Sequence, residues 1–208
     1  MEKKMVRSVI CLLGVMFLLS ACGPRSREAE AKKFGLQSIK DCFQVEETEE
    51  VKHYFDLAKV MPLASGGTKQ GITFSVTVSD DLGEMLYYAV ISIKPRKMLT
   101  IQQNPSLLKL TKEEEGLAAN MASSSIFDAS VKNEVPKRAA ERAALWVQQQ
   151  FEPNSKAAGI SAGQAYEKND IPARAFFDST IIMDSGAVYG VTVCWPSMDI
   201  VQVTLLDS

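Results

Sequence analysis

Ile72-Thr73-Phe74-Ser75-Val76-Thr77-Val78-Ser79 alternates apolar and polar side chains without a break. Successive side chains of a strand point to opposite sides. The stretch therefore sets four apolar groups on a buried face and four hydroxyls on the other, as in a sheet covered on one side only. Asp80-Asp81-Leu82-Gly83 is a turn. Leu86 to Ile93 is apolar on both faces and reads as a central strand or one lying under helices, and Lys97 to Gln102 forms a third strand after Pro95. A second group lies at the C-terminus. Ala175 to Met183, Ala187 to Trp195 and Ile200 to Leu206 are separated by Asp184-Ser185-Gly186 and Pro196-Ser197, which predicts an antiparallel meander.

Helical spacing fills the rest. Leu36, Ile39, Cys42 and Phe43 recur every three or four residues, and so do Val51, Tyr54, Phe55 and Ala58 before Pro62. Ser65-Gly66-Gly67-Thr68 is a loop. After Asn104-Pro105-Ser106 the segment 107–130 is rich in Leu, Lys, Glu and Ala. Pro136 fits the first turn of a further helix whose stripe is Ala140, Ala143, Ala144, Val147 and Phe151, ended by Pro153-Asn154. The stretch around Gly159 and Gly163 reads as loop. No repeat of 20–50 residues is evident. The order of helices, strands, helices, strands predicts an α+β domain, its antiparallel sheet drawn from two strand groups (about 71–102 and 175–206) and covered by helices. A split into two small domains near residue 104 would leave each half a thin core.

The chain has 208 residues, 46% of them hydrophobic and 23% charged, which suits one core-forming domain and excludes a wholly disordered chain. With a single long apolar run it is not a many-span membrane protein. Its 23 basic and 25 acidic groups give a net charge of −2, without the basic excess that nucleic-acid binding requires.

That one apolar run opens the chain. Lys3, Lys4 and Arg7 precede an almost wholly apolar stretch from Ser8 to Ala21. This is shorter than the roughly 20 residues a permanent spanning helix needs and has the form of a secretory signal peptide. It ends in Leu19-Ser20-Ala21-Cys22, which resembles the lipobox of bacterial lipoproteins. The resemblance covers residues 1–22 only. It implies that diacylglycerol is joined to the Cys22 thiol, that signal peptidase II recognises Leu19, Ser20 and Ala21 and cleaves before Cys22, and that the new amino terminus is acylated, usually with palmitate. Gly23 follows where Asp would favour inner-membrane retention, so the resemblance implies an outer-membrane protein facing the periplasm in a Gram-negative host. Two or more acyl chains give stable anchoring.

The expected organisation is then a signal peptide over 1–21, lipidated Cys22 and a polar tether over 22–33, and one periplasmic α+β domain over 34–208. Cleavage removes Lys3, Lys4, Arg7 and Glu2 and leaves 20 basic against 24 acidic groups, a net charge of −4. Cys11 leaves with the leader and Cys22 is lipidated, so Cys42 and Cys194 remain. In an oxidising compartment they form either a disulfide or two separate buried thiols. A bridge would close a loop of about 150 residues, worth on the order of 5 kcal/mol by chain entropy.

Candidate chemistry is sparse. Gly159-Ile160-Ser161-Ala162-Gly163 matches the G-x-S-x-G pattern, but no strand precedes it and the single His, His53, lies upstream. His53 and Cys42 form a nucleophile and base pair only in composition. The glycines at 66, 67 and 71 lack phosphate-loop spacing. Glu46, Glu47, Glu49 and Glu50, and Glu113 to Glu115, read as helix starts or solvated faces, without calcium-loop spacing. No cofactor or metal is implied. Aromatic residues such as Trp146 and Trp195 read as core. Tyr87 and Tyr88 are adjacent in a strand, so one of the two must leave the core side, which makes them the candidate partner surface.

These readings point to a non-catalytic, membrane-anchored lipoprotein that binds an envelope protein or supports an envelope assembly. An envelope enzyme acting on peptidoglycan or lipid, and a periplasmic inhibitor or immunity lipoprotein, are the alternatives.

Overall fold

The alternating stretch at 72–79 lies inside a thirteen-residue strand, and the sheet extends from it to both sides. The computed structural model describes residues 24–45, 52–62, 68–80, 83–93, 96–123, 129–168 and 171–208. Its strands are β1 (Lys52–Pro62), β2 (Thr68–Asp80), β3 (Gly83–Ile93), β4 (Arg96–Gln103), β5 (Ala157–Lys168), β6 (Ile171–Met183), β7 (Val188–Trp195) and β8 (Asp199–Asp207). They form one eight-stranded sheet in the order β1-β2-β3-β4-β8-β7-β6-β5, with every neighbouring pair antiparallel. The helices are α1 (Pro24–Phe43), α2 (Lys112–Ser123) and α3 (Ala129–Gln150), with a short 3-10 turn at Pro105–Leu107. The fold is α+β, and a single antiparallel sheet unites the two strand groups.

The main core lies on one side of this sheet. α3 contributes Ala139, Ala143 and Val147, all fully buried at helical spacing, and α1 contributes Ile39. Beneath them sit Ile101, Phe177, Ile181, Tyr189, Val191, Val193 and Val203. The small alanine side chains let α3 lie close to the strands. A chain of tilted aromatic contacts crosses the layer. Tyr87 to Phe43 is 5.4 Å, Phe43 to Trp146 6.3 Å, Trp146 to Phe151 5.5 Å and Phe151 to Tyr189 5.7 Å between ring centroids. It ties α1 and β3 to α3 and β7, so both helices cover the same face.

The order of elements repeats: α1 precedes β1–β4, and α3 precedes β5–β8. The last strands of the two series meet antiparallel at the centre, and the first strands stand at the two edges. A half-turn about an axis normal to the sheet exchanges the series strand for strand. The central seam pairs Thr100, Ile101 and Gln102 with Thr204, Val203 and Gln202. It is reinforced by Thr100 Oγ1 donating to the Val203 carbonyl at 2.9 Å and Gln103 Nε2 donating to the Ile200 carbonyl at 2.7 Å.

Four local expectations are corrected. The helix expected from Val51, Tyr54, Phe55 and Ala58 is the edge strand β1. An irregularity between Asp56 and Lys59 breaks its alternation, and pairing with β2 overrides the helical spacing. The loop expected around Gly159 and Gly163 is the other edge strand, β5, also interrupted by irregularities. At Gly163 it passes so close to β6 that a Cβ would stand 2.2 Å from the Asp178 carbonyl oxygen, so glycine here serves close packing of backbones. The polar tether begins instead as helix: α1 starts at Pro24, and its Ala-, Glu- and Lys-rich composition sustains it. Pro136 is the eighth residue of α3, not part of its first turn, so the Lys132 carbonyl loses its helical donor. The turn at Asp184-Ser185-Gly186 is as expected, with Gly186 at φ +88°.

Candidate interaction surface

Strand alternation sorts the residues of β6–β8 between two sides. In β7, Tyr189, Val191, Val193 and Trp195 enter the helix-covered core, so Thr192 and Cys194 point the other way. On that second side, opposite α1 and α3, the register builds a row across five adjacent strands. Asp178 pairs with Thr192, Thr192 with Gln202, Gln202 with Gln102 and Gln102 with Tyr88. One step along the strands a second row runs Thr180, Gly190, Thr204 and Thr100 and ends at Val90, and its last two members are buried.

Side-chain hydrogen bonds hold these rows in place. Asp178 Oδ1 accepts from Thr192 Oγ1 at 2.7 Å and from Tyr166 Oη at 3.2 Å. Gln202 Nε2 donates to Thr204 Oγ1 at 3.1 Å, and the Thr100 and Thr204 hydroxyls are 2.8 Å apart. Burial, with the charge and hydrogen bond of Asp178, pushes the Tyr166 hydroxyl up to about 12, so it stays a donor at neutral pH. Asp178 is exposed, and Thr192, Gln202, Gln102 and Tyr88 are half-buried.

Two borders frame this band. On one side Phe176, Cys194 and Val201 form a small second core, on which Leu108 and Tyr166 pack. Leu108 belongs to the connector after β4, which the Arg174 guanidinium pins by donating to the carbonyls of Pro105 and Leu108. On the other side stand Ile182, 46% exposed, and Leu206, which lies over Gly190. The Asp199 carboxyl beside the β7–β8 turn is raised above the usual range by burial, against a hydrogen bond from Ser197. Glu114 raises it further, and Arg142 and Arg174 lower it.

A separate polar cluster lies at the end of α3. Glu152 Oε1 accepts from Tyr189 Oη at 2.7 Å and Lys97 Nζ at 3.0 Å, and Lys97 also stands 5.7 Å from the centre of the Tyr189 ring. Burial pushes the Glu152 carboxyl up, but the bonds from Tyr189 and Lys97 and the lysine charge outweigh it and hold it below its ordinary range. The cluster links β4 to β7 and serves as a structural clasp.

The sequence candidates are distributed as follows. Tyr87 is buried in the helix-covered core against Phe43, so it is not part of a partner surface, whereas Tyr88 stands in the polar row. Cys42 packs on the helix-covered core and Cys194 lies in the core of the opposite face, so the sheet separates them and no disulfide joins them. Burial, with the charge of Asp41, pushes the Cys42 thiol up to about 12. Leu19, Ser20, Ala21 and Cys22 lie outside the described residues, as do Glu46, Glu47, Glu49 and Glu50. His53 is in β1, opposite Val76. The G-x-S-x-G stretch is edge strand and has no nucleophile elbow. Glu113 to Glu115 form the first turn of α2, where Glu114 and Thr111 make a reciprocal cap. Trp146 and Trp195 are core, as expected. The row residues Gln102, Gln202, Thr192 and Asp178 escaped the sequence reading, because the pair that joins the two halves of the row, Gln102 with Gln202, is 100 residues apart in the chain. Among the described residues no group of three or more His, Cys, Asp or Glu is gathered to hold a metal, and no helix is long and apolar enough to cross a membrane.

No protein-family model and no curated protein sequence matches the chain. It is similar to the solved structure of the Bacillus megaterium YpeB C-terminal domain, with 8% sequence identity and a TM-score of 0.46 over 84% of this chain. The chain spans 62% of that protein's length in the structure.

Proposed function

We propose that the protein is a lipid-anchored, non-catalytic binding protein of the bacterial cell envelope, which presents the face of its sheet opposite α1 and α3 to an envelope component. The observation that carries this reading is the pair of hydrogen-bonded polar rows on the face opposite α1 and α3. The lipobox at Leu19–Cys22 supports a membrane anchor, with the protein placed at the outer membrane facing the periplasm. Cys22 stands two positions before the start of α1, and the first described core contact of that helix is Phe34. As helix, residues 24–33 span roughly 15 Å, at 1.5 Å per residue, which is room for a spacer between the anchor and the domain.

Two measurements test this. Cys22→Ser abolishes fatty-acid labelling and leader removal, and a native product that begins at Met1 without lipid overturns the anchor. In intact cells a photo-crosslinking residue at position 102 forms an adduct with an envelope component, while one at position 141 on the exposed side of α3 does not. Absence of any adduct from position 102 overturns the binding role of this face.

A further inference from the structure

We infer that the ligand of this face is an uncharged, hydroxyl-rich polysaccharide strand, which lies along the row Tyr88–Gln102–Gln202–Thr192–Asp178, across the strand direction. The inference rests on the binding role proposed above and names its partner by chemistry.

The argument is one of charge and bonding capacity. The mature chain is acidic overall, at −4, yet the described parts of the two rows carry a single charged group, Asp178, and no cation. Nucleic acids and anionic lipid headgroups are held by clustered Lys and Arg, which the rows lack. A basic partner would need several carboxylates. A protein interface would be centred on apolar and aromatic anchors, whereas the centre of this band is amide and hydroxyl. A neutral polyol matches what is present. The Gln102 amide makes no side-chain hydrogen bond among the described residues, and both Asp178 acceptances fall on Oδ1, which leaves Oδ2 open to a ligand hydroxyl.

Geometry agrees. Neighbouring strands are about 4.8 Å apart, so the five-strand row offers donors and acceptors over roughly 19 Å in a line. An extended polymer meets such a line along its length. Tyr88 stands at one end of the row, and Tyr166 reaches the other through Asp178, so an amphipathic side chain closes the row at each end. The connector pinned by Arg174 forms a lip beside the row and keeps the strand from sliding toward the Cys194 end.

The test is co-sedimentation of the full chain, in detergent, with two insoluble probes. One is chitin, a neutral glycan without peptides. The other is cellulose, a neutral glycan that carries hydroxyls without acetamido groups. Heparin beads and anionic vesicles serve as charged comparators. Retention on at least one glycan, above both comparators, is the expected result. The double variant Gln102→Leu/Gln202→Leu should lower retention at least tenfold, and Lys137→Gln on α3 should leave it unchanged. Should the double variant fail to fold, Thr192→Val alone should lower retention about threefold. No retention on either glycan, stronger retention on a comparator, or undiminished retention of the folded row variants overturns the inference. If position 102 crosslinks to a protein in cells while both glycans fail to retain the chain, the polysaccharide reading falls and the binding role stands. If neither occurs, both fall.

Discussion

Replacing Tyr189 by Phe removes one oxygen from the polar cluster at the end of α3. The ring is fully buried, its neighbour Phe151 is undisturbed, and only the bond from Oη to Glu152 Oε1, 2.7 Å long, is lost. Bonds to charged groups are worth about 1.5–3 kcal/mol. Glu152 retains Lys97 at 3.0 Å and keeps 17% of its side chain in contact with solvent, so water replaces part of what is lost. That puts the destabilisation near the lower bound, about 1.5 kcal/mol. For a chain of this size it lowers Tm by roughly 3–6 °C.

The pH dependence identifies the source of this loss. The native Glu152 carboxyl sits below its ordinary range, so its contribution is fully present above the unfolded value of about 4.3. It is lost as pH falls from there through the lower native value. The deficit of Tyr189→Phe is therefore constant from neutrality down to about pH 5 and shrinks as the pH is taken below about 4, where the carboxylate that strengthens the bond is protonated. Urea unfolding of the two full chains at pH 7 and near pH 3.5 measures both quantities. Equal stability at pH 7, or a deficit of the same size at both pH values, would refute the assignment of a charge-assisted clasp.

Gly163→Ala should cost about 2 kcal/mol or more, because the new Cβ meets the Asp178 carbonyl and one of two backbones must move. A thermal melt superimposable on that of the parent would show that β5 does not pass as close as described. Cys42 and Cys194 should titrate as two thiols after denaturation without reductant, and Cys42 should alkylate slowly in the native protein. A gel mobility shift on reduction would contradict their separation by the sheet. Ser179→Ala deletes a buried hydroxyl with no hydrogen-bond partner among the described residues, so stability should hold or rise by up to about 1 kcal/mol. A clear loss in urea titration would reveal a hidden partner.

How far the sequence speaks depends on how a residue's neighbours are chosen. Strands β2–β4 and β6–β8 were legible because their side-chain parity is local, and the α3 stripe was legible for the same reason. The two edge strands were not. Both depart from regular pairing, β1 between Asp56 and Lys59 and β5 around Gly163, and each irregularity erases the alternation by which strands are recognised. The separation of the two cysteines did leave a signal. Cys194 shares parity with Thr192, while Val191, Val193 and Trp195 share the opposite one, so β7 alone places Cys194 on the less apolar side. The polar row left none. Tyr88, Gln102, Gln202 and Thr192 become neighbours only through register, and register between β4 and β8 is a property of the assembled sheet.

That α1 and α3 share a face follows from the topology. Two helix-plus-four-strand series that meet through their last strands, antiparallel, are related by a half-turn normal to the sheet, and such an operation cannot move a helix from one side to the other. Both α1 and α3 must therefore cover one face, and the polar rows lie on the other. The seam is also where a continuous surface is hardest to keep in register, since β4 and β8 share only three aligned pairs. The side-chain bonds from Thr100 and Gln103 into β8 fix that register from the sheet, the clasp of Lys97, Glu152 and Tyr189 joins β4 to β7 from above, and the aromatic chain from Tyr87 to Tyr189 does so through the helix layer. Loosening the clasp should therefore disturb the alignment of Gln102 with Gln202 without touching either residue. This makes the clasp a positioning element for the band on the other side of the sheet.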